Sequence, residues 1–132
     1  MAATAVTAVQ KDWWRKDAEG VPHLVTGEVP GPKSQAMHAR TTKYMRGLSG
    51  QVKLFPVAFE SGSGCTMTDA DGNKYIDFSS GIYVTTLGHC HPKVTEAVQE
   101  YAGRLMNCHD FTTEIKTRLV EKLAEIMPGD LK

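Results

Sequence analysis

Apolar positions along the chain change period several times, and each change marks an element. Met37, Thr41, Tyr44 and Leu48 recur at helical spacing. With Pro32 suited to a helix start and Gly47 to the position just past an end, they predict a helix from Lys33 or Ser34 to Arg46. The period then becomes two. Phe55, Val57 and Phe59 alternate with Pro56, Ala58 and Glu60; Cys65 and Met67 with Thr66 and Thr68; Ile76 and Phe78 with Tyr75 and Asp77. Ser61-Gly62-Ser63-Gly64 and Asp71-Gly72 are turn sequences between these runs, so three short strands form an antiparallel meander. Ile82 to Leu87 is β-prone by residue type, and Gly88-His89-Cys90-His91 ends it. Pro92 opens a second helix with the stripe Val94, Ala97, Val98, Tyr101 and Leu105, and Glu100 and Arg104 make a favourable i,i+4 pair. A third helix begins at a cap on Thr112 or Thr113, with Glu114 in its first turn. Its stripe is Ile115, Leu119, Leu123 and Ile126, widened by Val120, Ala124 and Met127, and Pro128-Gly129 stops it.

The order is helix, three strands, loop, helix, helix. Each amphipathic helix needs a surface to pack on. A three-stranded meander covers one and is small for two, so more chain is expected than the sequence holds. Residues 1 to about 31 read as loosely organised, with the Trp13 and Trp14 rings tucked against the remainder.

Composition narrows the function classes. The 132 residues are one domain's worth of chain, 41% hydrophobic and 23% charged, which is ordinary globular usage. Fifteen basic residues balance fifteen acidic ones, so bulk charge supports neither nucleic acid nor an anionic membrane as partner. No apolar run approaches the roughly 20 residues that span a bilayer. Cys65, Cys90 and Cys108 are odd in number and widely spaced, which argues against a disulfide framework and for a reducing, cytoplasmic setting. Met1 to Gln10 lacks the basic start and apolar run of a secretory leader.

Several residues invite chemistry. His89-Cys90-His91 suggests a metal, with Cys108 and His109 as a second pair, but adjacent ligands point apart; the plainer reading is a turn whose histidines satisfy local hydrogen bonds. Ser61-Gly62-Ser63-Gly64 resembles half of a phosphate loop, yet strand residues follow it rather than a helix. Cys108 beside His109 lacks the surroundings of a thiol nucleophile and reads as a buried or pocket-lining cysteine. Asp69, Asp71 and Asp77 lie along the hairpin, with Asp71 a turn residue by type. Taken alone, these residues describe an α+β piece without a complete active site.

One stretch carries a resemblance. Thr68-Asp69-Ala70-Asp71-Gly72-Asn73-Lys74-Tyr75-Ile76-Asp77-Phe78-Ser79-Ser80-Gly81-Ile82 runs into Gly88-His89-Cys90-His91-Pro92-Lys93-Val94. It resembles the N-terminal portion of the class III pyridoxal-phosphate aminotransferases, which include 4-aminobutyrate, ornithine and acetylornithine aminotransferases. Leu123 to Asp130 resembles the close of a later helix in that family, and the likeness covers about residues 34 to 132. It implies an α+β fragment of a fold-type-I, aspartate-aminotransferase-like α/β enzyme, with a small-domain segment and the start of the large domain over 33–132; residues 1–32, which the likeness does not reach, read by composition as a disordered or loosely packed tail. It implies pyridoxal 5'-phosphate as cofactor, an amino donor and a 2-oxo acid as small-molecule partners, and a homodimer. It places the phosphate-binding Ser-Gly-x-Glu-Ala-type segment and the Schiff-base lysine beyond Lys132, so the chain alone is expected to be inactive. Ile82 falls where the family shapes its substrate pocket. Cys108 and Asp110 match a Cys-x-Gln pocket segment, with Asp110 in place of Gln; a carboxylate there favours a donor's distal amine. A class III decarboxylase or aminomutase, and a truncated, non-enzymatic interaction product, are the alternatives.

Overall fold

Gly31 cannot cap the helix that follows it, because it has no side chain to accept from the first amide groups. The computed structural model, which describes residues 19–129, supplies the cap from a distance. Helix α1 spans Pro32–Tyr44, with Gly31 as N-cap. The Asp71 carboxylate accepts from Lys33 N at 2.8 Å and Ser34 N at 2.9 Å, satisfying two of the orphan donors of the first turn. A Cβ on Gly31 would stand 2.4 Å from Asp71 Cγ, so glycine is what permits the approach. The helix ends at Tyr44, short of the expected Arg46, because Met45 is already extended. A five-residue helix, α2, spans Gly50–Leu54 behind a Ser49 cap. One turn is too short to have a legible period. The expectations for Met1–Gln10 and for Trp13-Trp14 lie outside the described residues.

The meander is as expected in topology: β1 Phe59–Ser63, β2 Thr66–Asp69 and β3 Lys74–Ile76, antiparallel in the order β1-β2-β3. Its boundaries differ. The alternation from Phe55 does not pair until Phe59, and a register shift between Phe59 and Ser61 bends β1. Ser61-Gly62-Ser63, read as a turn, is strand paired with Thr66–Thr68; the reversal falls on Gly64 and Cys65, with Gly64 at φ +55. Turn propensity is a local preference, and cross-strand pairing overrides it.

Ile82 to Leu87 is not a strand. Ser80, Gly81, Ile82 and Tyr83 take φ of +48, +59, +63 and +64, forming one left-handed helical turn. Tyr83 N donates to Ser79 O and Val84 N to Ser80 O. The β-branched Ile82 shows how far the local preference is overruled, since a left-handed L-residue costs about 1–2 kcal/mol.

The chain divides into two compact units, one through Thr95 and one from Glu96. Helix α3, Pro92–Ala102, begins in the first. It stops before Leu105, which therefore leaves the stripe, because Gly103 is a poor continuation. In the second unit Arg104 pairs with Glu100 at 2.9 Å as the spacing predicts. Helix α4 spans Glu114–Ile126; Thr113 accepts from Lys116 N at 3.3 Å, and Met127 is its C-cap.

Few side chains are fully buried, and most of those are polar. Ser34, Asp69 and Asn73 are at most 1% exposed, while Ala70 is the single buried hydrophobe among the described residues. Ile115, Leu119, Leu123 and Ile126 on α4 stay exposed. The first unit is organised by a hydrogen-bonded knot at the β2–β3 turn. Asp69 accepts from the Asp71 and Asn73 amides, Asn73 Nδ2 and the Tyr75 hydroxyl, at 2.7–2.9 Å. Asn73 Oδ1 in turn accepts from Val25 N and Thr26 N, and His23 pairs with Lys74, which ties the stretch before α1 to the sheet. Phe55 and Phe59 meet the Tyr75 ring edge-on at 6.1 and 5.6 Å.

Candidate functional site

The residues between Asp77 and His89 form a loop whose two ends are fastened to one place. Asp77 N donates to Cys65 O at 2.8 Å. His89 exchanges two backbone hydrogen bonds with Gly64, at 2.8 and 3.0 Å. Both anchors are the β1–β2 reversal. The ends are then joined by side chains: His89 Nε2 lies 2.7 Å from Asp77 Oδ2. Asp77 Oδ1 accepts from Ser79 N, Ser79 Oγ and Ser80 N at 2.8, 3.0 and 2.9 Å. Burial pushes the Asp77 carboxyl up, but the bonds from His89, Ser79 and Ser80 outweigh it and hold the group below the usual carboxylate range. An ionised carboxylate only accepts, so the His89 proton sits on Nε2 and donates to it.

The same balance holds at the neighbouring aspartates. For Asp69, burial is outweighed by Asn73, Tyr75 and the Asp71 amide. For Asp71, it is outweighed by the Ser34 and Lys33 amides and the Lys33 charge. Burial and the Asp69 carboxylate push the Tyr75 hydroxyl up to about 12. The three hairpin carboxylates are thus three separate fasteners: a turn knot, a helix cap and a loop clasp.

Ile82 stands on the left-handed turn and is 75% exposed, as are its neighbours Tyr83 and Val84 to similar degree. Cys108 and Asp110 belong to the second unit. Cys108, half-buried, lines a shallow depression with Leu105, Asn107, Phe111 and Thr113. Asp110 is 95% exposed in its side chain and lies 3.2 Å from His109 Nδ1. Sequence reasoning missed the Asp77–His89 clasp and the Asp71 cap. The Gly88-His89-Cys90-His91-Pro92 motif marks one member of the clasp, but no spacing rule pairs it with an aspartate 12 positions away.

Among the described residues, no group of three or more His, Cys, Asp or Glu converges on a metal position, and no helix is long and apolar enough to cross a membrane. A lysine that holds pyridoxal phosphate must be desolvated and able to lose its proton. Lys33, Lys43, Lys53, Lys74, Lys93 and Lys122 are exposed. Lys116 Nζ donates to the His109 and Phe111 carbonyls at 3.1 and 2.9 Å. The described residues by themselves do not fit that cofactor.

Comparison with known proteins places these features in a family. The aminotransferase class-III family matches residues 48–132. An acetylornithine aminotransferase of Methanopyrus kandleri is 45% identical over 78 residues, 58% of this chain and 20% of that protein. A diaminobutyrate–2-oxoglutarate aminotransferase of Rhizobium meliloti is 41% identical over 82 residues, 61% of the chain and 17% of the relative. A glutamate-1-semialdehyde 2,1-aminomutase of Legionella pneumophila is 39% identical over 102 residues, 73% of the chain and 24% of the relative. Among solved structures, the ornithine aminotransferase of Toxoplasma gondii superposes with a TM-score of 0.61 at 27% identity, over 70% of this chain and 21% of that one. The chain thus spans about a fifth of the length of the proteins it matches.

Proposed function

Because the chain belongs to the class-III aminotransferase family, we propose that it is the N-terminal portion of a pyridoxal-phosphate-dependent transaminase. The longer protein moves an amino group from an amine or ω-amino acid to a 2-oxo acid. The observation that carries this reading is the family match across residues 48–132, which includes the whole Asp77–His89 loop. Pyridoxal phosphate supplies the electron sink for the transfer, and residues outside this chain hold it. The enzyme is a homodimer in the cytoplasm, and this chain alone is inactive.

In this reading the chain contributes to substrate recognition. Ile82 offers an exposed apolar wall on a rigid turn. Cys108 lines its depression, and Asp110 offers a carboxylate for a donor's distal ammonium.

A second reading, an aminomutase, is favoured by the 39% identity to the Legionella protein, which extends over more of the chain than the aminotransferase likenesses. One assay separates the two. The longer protein, loaded with pyridoxal phosphate, is given an ω-amino acid with and without 2-oxoglutarate, and separately an amino aldehyde with no acceptor. Amino acid formed from 2-oxoglutarate, and only in its presence, is the expected result. Isomerisation of an amino aldehyde without any acceptor would establish the aminomutase instead, and neither activity would remove both readings.

A further inference from the structure

The Asp77 carboxylate divides its two oxygens between two tasks. Oδ1 faces the Ser79 and Ser80 amides at the entry to the left-handed turn, and Oδ2 faces His89. With Nε2–H at 2.7 Å on Oδ2, and the Asp77 side chain only 4% exposed, His89 fixes the plane of the carboxylate against those amides. His89 is itself held in place. Its backbone is bonded on both sides to Gly64, and its ring lies against Gly62 so closely that a Cβ there would stand 2.9 Å from its Cγ. A rigid path therefore runs from the β1–β2 reversal through His89 and Asp77 to Ser80, and the next residues along the turn are Gly81 and Ile82. Three of the four residues in the turn are L-residues at positive φ, a conformation they keep only where the surroundings over-determine it. The turn's entry amides, Ser79 N and Ser80 N, are held by the Asp77 carboxylate.

We infer that His89 is a positioning residue for donor choice: by clasping Asp77 it fixes the left-handed turn that carries Ile82, and so sets where the apolar wall of the pocket stands. The inference rests on the proposed role of Ile82 in that pocket. It assigns His89 no contact with substrate.

The test uses the longer protein with its cofactor, comparing the parent with Ile82→Ala, His89→Ala and His89→Gln. Two quantities are read: hydrogen exchange of the Tyr83 and Val84 amides, and the ratio of kcat/KM for a short and a long ω-amino donor. His89→Ala is expected to speed exchange at both amides. It should also move the donor ratio by about tenfold in the direction that Ile82→Ala moves it, chiefly through KM, since a displacement of about 1 Å in a binding group costs up to about a hundredfold. Gln, which can place an N–H near Nε2, restores most of both. A residue with only a stability role would lower the yield of active enzyme and leave the donor ratio at the parent value; that result overturns the inference. If Ile82→Ala shifts the ratio and His89→Ala does not, the inference fails while the pocket reading stands. If Ile82→Ala itself leaves the ratio unchanged, the pocket reading fails and takes the inference with it. Should His89→Ala not fold, Gly62→Ala displaces the ring instead and must shift the ratio in the same direction; an unchanged ratio there counts against the inference.

Discussion

His89 Nε2 donates to Asp77 Oδ2 at 2.7 Å and closes a loop whose ends are also pinned, by main-chain bonds, to Gly64 and Cys65. The remaining oxygen of Asp77 takes two amides and a hydroxyl. Removing the carboxylate leaves all four donors without their acceptor. Asp77→Ala is therefore expected to lose about 1.5–3 kcal/mol, the worth of hydrogen bonds to a charged acceptor. Asp77→Asn keeps one acceptor but turns an N–H₂ toward a neighbour that donates, so it recovers less than half. Urea unfolding midpoints of the longer protein check both, and wild-type stability in Asp77→Ala would refute the clasp as a stabilising contact.

Acid should loosen the first unit through three carboxylates at once. Asp69, Asp71 and Asp77 are all held below the usual carboxylate range by the hydrogen bonds they accept. A depressed folded pKa means that their contribution is complete above the unfolded value of about 3.9 and is lost as pH falls through the folded values. Stability is expected to be flat in this respect above about pH 5 and to fall below about pH 4, with Asp69→Asn flattening the acid limb. Unfolding midpoints measured across that range decide it; a loss centred near neutral pH would contradict the assignment.

The cap on α1 comes from the hairpin, so its loss should be local. Asp71→Ala is expected to speed hydrogen exchange at Lys33 and Ser34 while leaving the α4 amides unchanged. Gly31→Ala should do the same and more, because its Cβ would meet the Asp71 carboxylate at 2.4–2.8 Å and force it off both amides. Equal exchange in α1 for parent and both variants would show that the cap carries no weight.

At position 82 the backbone matters separately from the side chain. Ile82 lies at φ +63, where an L-residue is strained and glycine is not. Ile82→Gly and Ile82→Ala discard nearly the same side chain, yet the glycine variant is expected to be the more stable by about 1 kcal/mol. Thermal unfolding of the pair tests this. Alanine proving the more stable would mean that the turn is not left-handed in solution.

Donor charge should be read at position 110. The Asp110 side chain is exposed, with His109 Nδ1 at 3.2 Å. If it meets a donor's distal ammonium, Asp110→Asn raises KM for diamino donors several-fold and leaves monoamino donors unchanged, since about 1 kcal/mol of an exposed charge pair is at stake. A uniform change across donors would remove Asp110 from donor recognition.

Helix α4 was fully legible in the sequence because its signals are local: the Thr113 cap, the stripe from Ile115 to Ile126 and the Pro128-Gly129 stop all lie within one short segment. The order of the three strands was legible for a similar reason, through alternation and the Asp71-Gly72 turn. What misled was residue type without its partner. Ser61-Gly62-Ser63 has turn chemistry and became strand, because Thr66–Thr68 offered it a ladder. Ile82 to Leu87 has strand chemistry, and its first residues became a left-handed turn, because Asp77 and His89 close the loop around it. The family motif pointed to the right stretch of chain but not to what its members bond.

Composition, periodicity and the motif running from Asp69 to Pro92 determine which elements form, their order and the family they belong to. The tertiary structure alone decides that Asp71 caps a helix 38 residues upstream, that Asn73 holds the Val25 amide from 48 residues away, and that His89 clasps Asp77. The physical reason is range. Helical stripes and hairpin turns are settled by neighbours within a few residues, whereas a carboxylate's partner is whichever donor the folded backbone brings within 3 Å, and no pattern along the chain encodes that approach.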